Sequence, residues 1–139
     1  MNRTSIIYGY GFVFSCSKQD FSNFVTNHRK NISPEVFDSC KRMLQDDYEE
    51  CWKYEQVLPA GEMIAHVMTA ETGIQFDLCQ PDAECGTPAA IIFQETYPWL
   101  LSEREKNLTQ NEVESICERY RKELGIPDAS DFLELEYFG

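Results

Sequence analysis

At 139 residues the chain has the size of an ordinary domain, enough to bury roughly two thirds of its unfolded surface around one core. Its formal charge of -12, from 12 Lys/Arg and 24 Asp/Glu, lacks the basic footprint that phosphate contacts demand, so direct binding to nucleic acid or to an anionic membrane is not expected. Apolar residues make up 42%, yet no window approaches the roughly 18 apolar residues of a membrane span, and the opening MNRTSIIYGYG has no sustained apolar stretch of the kind found in secretory signals. A cytoplasmic, reducing setting follows as the expectation.

The first element is SIIYGYGFVFS, which alternates with period two. Ile6, Tyr8, Tyr10, Phe12 and Phe14 share one face, and Ile7, Gly9, Gly11 and Val13 share the other. Neither face is charged, as in a central strand, and the two glycines suggest that a helix packs unusually close over the shallow face. SKQDFSNFVTNHRKN follows as a short helix with Ser17 as N-cap, Phe21, Phe24, Val25 and His28 at helical spacing, and His28, Arg29 and Lys30 at its C-terminal end. SPEVFDSCKRMLQDDYEECWKYEQ is the strongest helical pattern. Ser33 caps it, Pro34 takes the first position, and Val36, Phe37, Cys40, Met43, Leu44, Tyr48, Cys51 and Trp52 form one apolar stripe. Asp46, Asp47, Glu49 and Glu50 fall on its other face.

PAGEMIAHVMTAETG suits a helix closed by Gly73, although IAHVMT also reads as a strand turning through AETG; helix is the reading adopted. GIQFDLC and AAIIFQE then form a hairpin around the polar segment QPDAECGTP. YPWLL follows where a polar connection is expected, so Tyr97, Trp99, Leu100 and Leu101 either close the end of the core or present an aromatic anchor, and closure is the plainer account. LTQNEVESICERYRKELGIP carries a capping box at Thr109 and Glu112, an apolar stripe of Val113, Ile116, Cys117, Tyr120 and Leu124, and a stop at Gly125 and Pro127. DFLELEYFG closes the chain as a half-buried edge strand. The order strand, helices, strand, strand, helix, strand implies the α+β class: a split βαβ (ferredoxin-like) antiparallel sheet with helices on one face and a helical insertion after the first strand, in one domain over residues 1–139.

Several catalytic schemes fail on spacing. GYGF lacks the third glycine of a dinucleotide loop and the Lys-Ser/Thr pair of a phosphate loop. No Cys-x-x-Cys or His-x-x-x-His pair marks a metal site; Cys79 and Cys85 are the one close cysteine pair, with His66 as the conceivable third ligand, so neither metal nor cofactor is expected. The six cysteines are expected to be thiols. With only His28 and His66 as bases, no nucleophile is singled out, and the chain reads as non-enzymatic.

Charge points elsewhere. Residues 1–45 hold six Lys/Arg against three Asp/Glu, net +3, whereas residues 46–139 hold six against twenty-one, net -15. A solvated helix face accounts for the acidic run by itself. The functional reading is that Asp46, Asp47, Glu49 and Glu50, with Asp82 and Glu84 of the hairpin loop, form a patch that docks on a basic protein surface. In its sharper form the partner is a nucleic-acid-handling enzyme, and the chain is an inhibitor that mimics nucleic-acid charge. The alternative is a small-molecule-binding or enzymatic domain whose open sheet face, lined by Tyr8, Tyr10 and Phe12, stacks on a planar ligand.

Overall fold

The computed structural model describes residues 4–45, 52, 56–80 and 88–138. Four strands, β1 (Thr4–Val13), β2 (Asp77–Cys79), β3 (Ala90–Gln94) and β4 (Asp131–Phe138), form one antiparallel sheet in the order β2-β3-β1-β4. Leu78 lies opposite Ile91, Gly11 opposite Ile92 on one side and Asp131 on the other, and Tyr8 opposite Glu134. β1 and β2 therefore run in the same direction with β3 between them, and β3 and β4 do so with β1 between them. Each helical connection crosses over one strand.

The helices form where their local signals lie. In α1 (Lys18–Asn27) the Ser17 hydroxyl accepts the Asp20 N–H at 3.0 Å, and in α2 (Pro34–Leu44) the Ser33 hydroxyl accepts the Val36 N–H at 3.3 Å. The ambiguous segment is the helix α3 (Val57–Thr72): Gly73, at φ +73°, ends it in the left-handed region and donates its N–H to the Thr69 carbonyl at 2.9 Å. The reciprocal capping box forms one helix earlier than the sequence indicates, at Ser102 and Glu105 of the short helix α4 (Glu103–Lys106). At α5 (Gln110–Glu123) the Thr109 hydroxyl accepts the Glu112 N–H, but the Glu112 carboxylate turns to Arg104 at 3.0 Å. The tail of the α2 pattern lies outside the described residues except for Gln56, which precedes α3, and Trp52, which is buried. Its indole N–H donates to the Cys16 carbonyl at 2.7 Å, and its ring centroid lies 5.3 Å from that of Phe21.

The main core lies between one sheet face and the helices. Phe12, Phe14 and Ile91 from that face pack with Phe21 and Phe24 of α1, Cys40 of α2, Ile64 and Met68 of α3, and Cys117 and Tyr120 of α5. Each fully buried Phe or Ile here contributes roughly 1.5–3 kcal/mol. The opposite face holds a separate cluster drawn from strands alone: Cys79, Ala90, Ile92 and Leu135, with Ile7 and Leu133 packed against it.

Gly9 and Gly11 lie on that second face, which corrects the expectation that a helix packs over them. What comes close is the backbone of β3. A Cβ at Gly9 would lie 2.6 Å from the Phe93 carbonyl oxygen, and one at Gly11 would overlap the Ile91 carbonyl oxygen and lie 2.8 Å from Ile92 Cα. Strand-to-strand crowding of this kind leaves room for hydrogen only. The close helix approach occurs at Gly61 of α3, where a Cβ would stand 2.8 Å from Phe14 Cε1 and 3.0 Å from Leu78 Cδ1.

Candidate functional site

The acidic residues singled out by charge, Asp46, Asp47, Glu49, Glu50, Asp82 and Glu84, lie outside the described residues. Tyr8, Tyr10 and Phe12 share a face, but that face is not the open platform expected of a stacking site. Phe12 is 1% exposed beneath the helices, and Tyr10 is half-buried. The Tyr10 hydroxyl lies 3.2 Å from Ser130 Oγ and donates to the Ser130 carbonyl at 3.3 Å; burial pushes its ionisation above the ordinary tyrosine value. Only Tyr8, 38% exposed and 6.1 Å from the Phe132 ring, remains at the surface. The helices end their cover midway along β1, so the three rings meet three environments.

Two polar networks stand out. In the first, three helix C-termini converge on His28. The residue caps α1, and its Nδ1 lies 2.8 Å from Glu71 Oε2 in the last turn of α3, while its Nε2 lies 2.7 Å from Glu123 Oε1 at the end of α5. Both ring nitrogens can donate to these carboxylates only in the imidazolium form. Carboxylates at helix C-termini oppose the helix dipoles, and the hydrogen bonds they make to the ring between them offset part of that cost. Asn31 Nδ2 and the Tyr120 hydroxyl each donate to Glu71 at 2.6 Å, and Phe24 stacks on the imidazole at 4.1 Å. Burial opposes ionisation of Glu71, but hydrogen bonds from His28, Tyr120 and Asn31 outweigh it and hold the carboxyl below its ordinary value. Burial, reinforced by Glu71, raises the Tyr120 hydroxyl.

In the second network Arg121 grips the Glu118 carboxylate through two hydrogen bonds at 2.7 and 2.8 Å, and the Ser130 N–H and hydroxyl donate to the same carboxylate. The Arg121 hydrogen bond, followed by those from Ser130, holds Glu118 far below the usual carboxylate range. This network ties α5 to the start of β4 and, through Ser130, to Tyr10.

His28 has a carboxylate on each ring nitrogen, and among the described residues no thiol is hydrogen-bonded to it. Cys16, Cys40, Cys79 and Cys117 are buried thiols, and burial pushes Cys16 and Cys117 up to about 12. Cys51 and Cys85 lie outside the described residues, so the Cys79–Cys85 pairing does too; His66 is exposed. Among the described residues no group of three His, Cys, Asp or Glu side chains is arranged to hold a metal ion. Among them, too, no helix is long and apolar enough to cross a membrane.

Ile6, Tyr8 and Phe132 are exposed at one end of the sheet, and the largest exposures among the described hydrophobes lie in the segment after β3. Its expected closure of the core is overturned: Tyr97, Trp99 and Leu100 are 63%, 73% and 63% exposed. Pro98–Leu100 forms a single 3₁₀ turn that lifts these side chains off the sheet, and the Tyr97 and Trp99 rings stack on each other at 4.7 Å, 7° from parallel. The depression beside this turn is walled by Thr96, Leu100 and Leu101, with Phe93 among its other lining residues. It holds the carboxylates of Asp77 and Glu105 and no cation among its described lining residues. The sequence raised the possibility of an aromatic anchor; what it lacked was a sign that the turn faces solvent.

No family model, curated protein or solved structure matches the chain.

Proposed function

We propose that the protein is a non-enzymatic binder of another protein's basic surface, working in the cytoplasm through its acidic charge. In its sharper form it occupies the basic groove of a nucleic-acid-handling enzyme and competes with nucleic acid there. The observation that carries the reading is the net -15 of residues 46–139. Two local features are in keeping with it: the histidine at the helix ends has a carboxylate on each ring nitrogen, and Cys16, Cys40, Cys79 and Cys117 are buried. A field of this sign steers a basic partner and raises the association rate, at the cost of strong salt dependence.

The test is affinity capture from source-cell lysate, followed by binding measurements on the captured protein over a salt series. A basic, nucleic-acid-handling partner whose association slows with salt, and whose binding weakens when Asp46, Asp47, Glu49 and Glu50 become Asn and Gln, supports the reading. Binding that is indifferent to salt and to those substitutions overturns it.

A further inference from the structure

Resting on the acidic-binder reading, and going further by naming the group it takes, we propose that the Tyr97–Trp99 pair and the depression beside it seat an arginine side chain of the basic protein partner. The stacked rings expose most of the Trp99 indole. An indole face attracts a cation, and a planar guanidinium stacks on it more readily than a compact ammonium does. The adjoining depression is electrostatically complementary: Asp77 and Glu105 line it with no cation among its described lining residues, while Arg104 and Lys106, on either side of Glu105 in the sequence, are paired with Glu112 and Glu103. Glu105 is held in place by the Ser102 and Gln75 N–H groups, so its carboxylate is fixed rather than free to fold away. Burial opposes its ionisation, but these hydrogen bonds outweigh it and hold the carboxyl below its ordinary value. Exposed aromatic and aliphatic side chains in this number on one turn have no role in the core, and large aromatics are the usual anchors of protein interfaces.

The experiment uses the full chain and two fluorescein-labelled peptides, hexaarginine and hexalysine, with binding read by fluorescence anisotropy. The seat predicts that hexaarginine binds about threefold or more tightly than hexalysine, and that Trp99→Ala removes this preference. Trp99 is solvent-exposed, so the variant retains the fold; a second variant, Trp99→Phe, keeps a ring and retains part of the preference. Neutralising Asp46, Asp47, Glu49 and Glu50 should weaken both peptides alike. Equal binding of the two peptides, with no effect of Trp99→Ala, overturns the seat and leaves the acidic-binder reading standing. Failure of both peptides to bind at low salt overturns both.

Discussion

The ends of the helices and the turn after β3 use side chains in opposite ways. Around His28 polar groups meet partners: two carboxylates, an imidazole, a phenol and an amide, brought together from α3, α5 and the end of α1 with the turn after it. At Tyr97, Trp99 and Leu100 large apolar surface is left in water, and the closest ring neighbour of each aromatic is the other. The first arrangement is what a chain builds to hold itself together, because an ion left unpaired at such a site is costly. The second adds nothing to folding that a polar turn would not supply. A residue's chemical reactivity therefore misleads here: the histidine is structural, and the plain hydrophobes are the better functional candidates.

Substitutions can break this contrast. His28→Ala removes the ring that joins Glu71 and Glu123 and leaves both carboxylates short of a hydrogen-bond partner, and urea denaturation should show a loss of roughly 2–3 kcal/mol. Glu71→Gln removes one carboxylate but keeps a hydrogen-bonding side chain, and should cost about 1 kcal/mol at neutral pH. Its pH dependence has a defined sign. Because the folded state holds Glu71 below its ordinary value of 4.5, the stability this group supplies is complete above that pH and is lost as pH falls through the folded value. The difference between Glu71→Gln and the unaltered chain should shrink on acidification; a difference that grows in acid would contradict the network. Trp99→Ala should change stability by less than about 0.5 kcal/mol. A loss as large as that of His28→Ala would return the turn to the core and dissolve the comparison. The smallest effect sharpens it: acrylamide should quench one component of the tryptophan fluorescence, absent in Trp99→Phe, while buried Trp52 resists.

Local signals were legible in the sequence, and long-range ones were not. Ser17, Ser33, Thr109, Gly73 and Gly125 act within four residues of themselves, so their roles as caps and stops follow from type and spacing. The alternation of β1, with both faces apolar, likewise pointed to a central strand. The His28 network joins residues 43 and 95 positions apart in a chain with twenty-four carboxylates, and nothing in the spacing says which two meet the ring. YPWLL failed for another reason: apolarity signals that a segment prefers burial, and a short turn gives it no face to bury against. The glycines of β1 were rightly marked as a close approach, but sequence periodicity does not say which neighbour arrives.

That neighbour gives Gly9 and Gly11 a role in register. Both faces of β1 are apolar, so the usual guard against sliding, a polar residue forced inward, is weak along this strand. A slip of two residues against β3 would preserve every side chain's face. It would also bring Ile7 or Val13 beneath the β3 carbonyls, where even a methyl group does not fit. The two missing side chains thus work as a key, admitting one alignment of the central pair and excluding the neighbouring ones by collision, so that a Gly11→Ala chain would have to choose between a displaced strand and no sheet.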